Sequence, residues 1–201
     1  LYFAISGFLI IAMSLKKENP RRSKFNNIGL YVSSTYLILT LIFKWVSFQK
    51  FEEGLETQEI EYVEMDTKPS PLNAILWSSL IETDRGYRTA YYSLFDKQEI
   101  TYSKEFLKNH HLLEAYLDQK VIKQLIDISA GWYRIEEKNG KLLFWDLRFG
   151  QMGMDVNNAS FLWYYELNID KTGNVKAVKR QPEIKNFKMV FKELFNRIKG
   201  N

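Results

Sequence analysis

Two apolar stretches separated by a basic loop open the chain. Leu1–Leu15 carries no charge, and Ile28–Phe48 runs for 21 residues with Lys44 as the one charged side chain inside it. A helix needs about 20 residues to cross a hydrocarbon core of about 30 Å, so residues 1–48 read as a transmembrane helical hairpin, the first span already under way at Leu1. From Lys50 onward the pattern changes to short alternating runs between turn residues, as in a water-soluble domain. Residues 49–68 form an acidic connector and first strand. Over residues 50–66, Glu52, Glu53, Glu56, Glu59, Glu61, Glu64 and Asp66 face only Lys50. The part from Gln58 to Asp66 predicts a strand with Glu59 and Glu61 on one face.

Residues 69–201 read as one soluble α+β domain. Lys68-Pro69-Ser70-Pro71 interrupts regular structure. Ala74–Thr83 and Tyr87–Phe95 flank Asp84-Arg85-Gly86 and predict a hairpin, with Ile100–Tyr102 as a short added strand. The period then lengthens: Leu113, Tyr116, Leu117, Val121, Leu125 and Ile128 recur every three or four residues, which predicts an amphipathic helix over His110–Ser129. Asn109 is its expected N-cap and Gly131 its stop. Trp132–Glu137 and Lys141–Phe149 flank Asn139-Gly140, the pair that favours a tight hairpin turn. A third hairpin joins Ser160–Ile169 to Asn174–Val178, with Phe161, Trp163, Tyr165, Leu167 and Ile169 on one face. After Pro182, the stripe Phe187, Phe191, Leu194 and Ile198 predicts a C-terminal amphipathic helix. The fold class is therefore α+β: two N-terminal spans, a mostly antiparallel sheet, and one central and one C-terminal amphipathic helix.

Charge sharpens the location. The formal net charge is +4, yet residues 1–49 hold six Lys/Arg against one acid, while residues 50–201 hold 22 against 23. The basic excess thus belongs to the loop between the spans, and no nucleic-acid footprint remains on the domain. Positive loops stay cytoplasmic, so the domain is expected outside the cytoplasm, in the periplasm of a Gram-negative cell. The lipid bilayer is the first expected partner. Lys44 and Trp45 suit the exit end of the second span, one snorkelling and the other favouring the interface. The charges follow the first apolar run rather than precede it, which is the reverse of a signal peptide. The tail Asn174–Asn201 has eight Lys/Arg and two Glu, so its helix can lie on anionic lipid or pack on the sheet.

Few residues advertise chemistry. The chain has no cysteine, which excludes disulfides and thiolate sites. No glycine-rich phosphate loop and no nucleophile elbow occur. His110 and His111 are adjacent and point about 100° apart on a helix, unlike an i, i+4 ligand pair. Glu59 and Glu61 read as a solvated strand edge, because nothing nearby completes a ligand set. Asp146 and Arg148 lie two residues apart in Phe144–Gly150, on one strand face with Phe144. They form either a polar cluster recognising a ligand or a satisfied network pinning the sheet.

Several short segments carry a family resemblance. They are Pro71–Trp77, Glu82–Tyr87, Tyr91–Asp96, Ala130–Tyr133 and Asp146–Gly150, within which Trp77, Tyr87, Tyr91, Tyr92, Gly131 and Gly150 mark the pattern. In order and after membrane spans, they resemble the membrane-bound, metal-dependent hydrolases, also described as LexA-binding, inner membrane-associated hydrolases. The resemblance covers about residues 69–150 and implies a bacterial inner-membrane protein using a divalent metal. The family's ligands are His and Asp residues in an N-terminal membrane portion, whose Thr-His and His-Arg-Gly motifs have no counterpart here. Catalytic and metal positions are therefore expected upstream of Leu1, and none is carried onto this chain. The expected function is the extracytoplasmic domain and last two spans of such a hydrolase. The alternative is a non-catalytic, membrane-anchored binding or scaffolding module that grips an envelope protein or a lipid-linked substrate.

Overall fold

The computed structural model describes residues 10, 13–14, 19–158, 160–183 and 187–201. The first expected span lies almost entirely outside the described residues. The chain divides into two compact units, Leu1–Val46 and Ser47–Asn201.

Helix α1, Pro20–Thr57, is 38 residues long, or about 57 Å at 1.5 Å per residue. Its start follows the usual grammar. Pro20 occupies the first helical position, and the Asn19 Oδ1 accepts the Arg21 N–H at 3.0 Å. In the first unit Leu37, Ile38 and Leu39 are successive and all exposed, so no single stripe is being buried. Thr40 Oγ1 donates to the Tyr36 carbonyl at 2.8 Å and Ser33 Oγ to that of Leu30 at 2.9 Å, which satisfies both hydroxyls inside the helix. Among the described residues, this is the one helix long and apolar enough to cross a membrane, where two spans were expected.

The helix does not stop at the acidic connector. Glu and Lys are good helix formers, and Ser47, Phe51 and Leu55, each one turn apart, are fully buried in the second unit. Burial on this stripe carries the helix through Glu52, Glu53 and Glu56. It ends where Glu59 turns left-handed (φ 52°) and the Ile60 N–H reaches back to the Leu55 carbonyl at 2.9 Å. The strand expected from Gln58 begins only at Glu64.

The second unit contains two four-stranded antiparallel sheets rather than one. The first is β1 (Glu64–Pro69), β2 (Leu76–Glu82), β3 (Gly86–Ser93) and β4 (Phe106–Leu107), paired in chain order. Gly86 has ordinary φ. Its importance lies in close approach, since a Cβ there would stand 2.1 Å from the Phe106 carbonyl oxygen. The second sheet is the meander β5 (Tyr133–Lys138), β6 (Lys141–Gln151), β7 (Phe161–Ile169) and β8 (Val175–Arg180). The β5–β6 turn has positive φ at both Asn139 (53°) and Gly140 (71°), the mirror-image turn whose twist matches the strands.

The expected central helix is broken. A 3-10 helix, His110–Tyr116, precedes α2, Lys120–Ile128. Between them Gln119 is extended, and its side chain bonds the Gly173 carbonyl (2.6 Å) and the Val175 N–H (2.8 Å). A contact to the β7–β8 turn therefore wins over helical continuity. Asn109 does not cap: it is left-handed (φ 53°) and its amide donates to the Ile135 carbonyl at 2.9 Å. Helix α3, Phe187–Ile198, follows β8.

Alternation along β6 supplies two cores. Phe144 joins Tyr133, Ile135, Leu167 and Val175 beneath Leu113, Ile122 and Leu125 of the helices. Leu143, Trp145 and Leu147 face the other way, meeting Tyr87 and Phe106 of the first sheet. Phe161 packs in this second core, not with Leu167 as its spacing predicts, because it lies beyond the point where the β6–β7 register shifts. Leu76, Tyr91 and Leu194 bring α3 onto the first sheet.

Candidate functional site

A groove of about 320 Å³ lies in the second unit between β2 and β3, the end of β6, and α3. That volume falls in the range of about 300–1,000 Å³ typical of ligand sites. Leu80, Leu147, Phe161 and Leu162 form apolar wall, and Phe187, Val190, Phe191 and Leu194 of α3 add the opposite side. The site owes its shape to three local events.

The first is the irregularity in β6. Its register with β7 shifts between Asp146 and Gln151, and Gly150 takes φ +80°. This bulge brings Arg148 and Phe149 to the groove. The second is the Gln151 side chain. Its oxygen accepts the Thr89 hydroxyl at 2.8 Å, while its nitrogen donates to the Val156 (3.1 Å) and Asn158 (2.5 Å) carbonyls. One amide thus ties the Met152–Asn158 loop to β3. The third is the docking of α3. Arg197 grips the Asp96 carboxylate with two bonds of 2.6 and 2.7 Å and reaches the Tyr91 carbonyl at 2.9 Å. Ser93 Oγ donates to the Ile198 carbonyl at 2.7 Å beside it.

The charged groups at the groove are paired. Asp146 is 2% exposed. Its oxygens accept from Arg148 Nε at 3.0 Å and Nη2 at 2.7 Å, and from the Arg148 backbone N–H at 3.2 Å. These hydrogen bonds raise the Arg148 pKa further above its ordinary value. Lys68 pairs with Asp66 and donates to the Arg148 carbonyl at 3.2 Å. Beyond them runs a cation–aromatic ladder. The Arg148 guanidinium lies 5.3 Å from the Phe149 ring centre, Phe149 meets Trp163 edge-on, and Lys179 Nζ sits 3.8 Å over Trp163. Such a surface attracts apolar matter with a polar or anionic end.

The other residues singled out in the sequence separate into distinct places. Tyr91 lines the groove with its hydroxyl donating to the Gly153 carbonyl at 3.2 Å, and burial pushes its pKa up to about 12. Tyr87 is fully buried at the seam between the sheets. Its hydroxyl donates to the Gly131 carbonyl at 2.9 Å, and its ring packs against Trp132, so two of the resemblance segments touch there. Burial raises the Tyr87 pKa strongly. Trp77 and Tyr92 share the opposite face of the first sheet, where Tyr92 meets Phe51 edge-on. Trp77 is buried with its indole donating to the Ala74 carbonyl at 3.1 Å. Lys44 and Trp45 are both exposed on α1. Glu59 and Glu61 are exposed and belong to no strand. His110 Nδ1 bonds the Tyr133 hydroxyl, and His111 is exposed.

Two features carry no signal in the sequence. Lys108 bonds Glu82 at 2.8 Å and lies over both the Tyr87 and Tyr133 rings, at 5.4 and 5.3 Å. The loop Met152–Met154 contributes to the groove although its composition suggests only a connector. Among the described residues, no group of three or more His, Cys, Asp or Glu could hold a metal ion. Fold and site together define an α+β domain of two antiparallel sheets with an apolar, cation-rimmed groove, preceded by a long apolar helix. No family model, no curated protein and no solved structure matches the chain.

Proposed function

We propose that this protein is a membrane-anchored binding module whose groove receives the apolar chain of a membrane amphiphile. The observation that carries this reading is the apolar groove of about 320 Å³, whose charged groups are already paired. Paired groups orient a ligand better than they attack one. Leu80, Leu162, Phe191 and Leu194 offer an acyl chain the burial that drives binding, at about 0.8 kcal/mol per buried methylene. Arg148, Lys68 and Lys179 stand where an anionic or hydroxylated end would emerge. In this reading α1 is the anchor, with Lys44 and Trp45 at its outer interface. The domain then works on the outer face of a bacterial inner membrane. The reading draws nothing from metal-assisted hydrolysis, for which the resemblance supplies no residue in this chain.

The test uses the full chain in lipid nanodiscs with palmitate carrying a photoreactive diazirine. Cross-links mapped by mass spectrometry should fall on Met152, Met154 and Leu162, and Leu162→Trp or Val190→Trp, which fill the groove, should remove them. Cross-links confined to α1, or unchanged in both variants, would overturn the proposal.

A further inference from the structure

Among the described residues, the hydrogen bonds that dock helix α3 gather at its C-terminal turn. Its C-terminal turn is held by the Arg197–Asp96 pair and by the Ser93 bond to Ile198, with Leu194 buried. Its apolar stripe is nevertheless wider than the buried part. Phe187, Phe191 and Phe195 follow one another at four-residue spacing and are 61%, 43% and 58% exposed. Three phenylalanines on one ridge expose far more apolar surface than scattered side chains do. Lys188 and Lys192 flank the ridge, both exposed. Phe187 and Phe191 also line the groove, as does Phe149, itself 53% exposed and continued by Trp163 and Lys179. Exposed aromatics from two elements thus meet at one mouth, with cations beside them.

That combination is the signature of a helix lying in a lipid interface, with Phe in the acyl boundary and Lys among anionic headgroups. The bilayer matches both the ridge and its lysines, and α1 would keep a bilayer within reach. We propose that the Phe187–Phe191–Phe195 ridge, with Lys188 and Lys192, docks on the surface of an anionic lipid bilayer and so sets the groove mouth against the leaflet. The proposal rests on α1 as a membrane anchor. It does not require the groove to be occupied.

The absence of cysteine allows a clean experiment. Phe195→Cys on the ridge and Asn196→Cys beside it, each in the full chain, are labelled with a polarity-sensitive dye. The labelled chains are then placed in nanodiscs of phosphatidylcholine with or without phosphatidylglycerol. The dye at position 195 should shift to shorter wavelength when phosphatidylglycerol is present, and the dye at 196 should not. Each lysine near an anionic surface is worth about five-fold in partitioning, so Lys188→Gln with Lys192→Gln should lower the docked-to-undocked ratio about 25-fold. Equal shifts at both positions, or a shift indifferent to phosphatidylglycerol, would overturn the proposal. A shift that grows with the number of chains per disc would assign the ridge to a second copy and overturn it too. Failure of the chain to enter nanodiscs would refute the anchor itself and is read separately, by size-exclusion chromatography.

Discussion

Asp146 has nearly all of its surface covered, and its two oxygens are occupied by one arginine and one backbone N–H. The pairing follows from strand geometry, since residues two apart share a face. What spacing alone leaves open is the depth of each partner. Asp146 is buried while Arg148 keeps contact with solvent and with the groove. A second carboxylate shows how a turn can dominate a titration. Asp170, in the β7–β8 turn, accepts the Thr172 hydroxyl at 2.6 Å and the Asn174 and Thr172 N–H groups at 3.0 and 2.8 Å. These bonds favour the charged form and lower its pKa from 3.8 to about 2. A depressed carboxylate stabilises the fold above its unfolded pKa, and that contribution fades as pH falls from about 4 towards 2. Carboxyl titration by NMR should place the Asp170 midpoint near the lower value, and Thr172→Val should move it upward. A wild-type midpoint in the ordinary aspartate range would contradict the turn geometry.

Elements were legible wherever a local pattern decides them. The hairpin at Asn139-Gly140 was plain because the turn residues themselves adopt positive φ. The central helix breaks where its periodicity predicts continuity, because periodicity is blind to a distant competitor. Gln119 is drawn out by Gly173 and Val175, more than fifty residues away. The connector departs from its pattern for the opposite reason: its charges predict exposure, while Phe51 and Leu55 supply a buried stripe that extends the helix. Helix α3 was predicted, but the clamp that orients it was not. Removing that clamp by Arg197→Ala leaves the Asp96 carboxylate buried without its cation, at a cost of about 3 kcal/mol in denaturant unfolding. Arg197→Lys should recover less than half of this, because a single ammonium cannot replace the two-pronged fork. Unchanged stability in the alanine variant would show that Leu194 and its apolar neighbours alone hold the helix.

At the scale of the whole molecule, the basic segment Lys16–Lys24 carries a sidedness expectation. If α1 spans from the cytoplasm outward, alkaline phosphatase fused after Asn201 is active and β-galactosidase at the same place is not. The reverse result would put the groove in the cytoplasm and remove its access to the outer leaflet. The candidate site was only partly legible at this scale. Arg148, Tyr91 and Gly150 line the groove, with Asp146 buried beneath as the partner of Arg148, whereas Tyr87 and Gly131 meet at the seam between sheets and Trp77 and Tyr92 lie on another face. The sequence by itself determined what local chemistry controls: the long apolar helix, the turns, the antiparallel hairpins and the apolar stripe of α3. Only the tertiary structure decided that there are two sheets, which residues face the space between them, and how α3 closes its edge. Those outcomes depend on contacts such as Thr89 with Gln151 and Asp96 with Arg197, between residues 62 and 101 positions apart. Pairings at such distances leave no periodic trace in the chain.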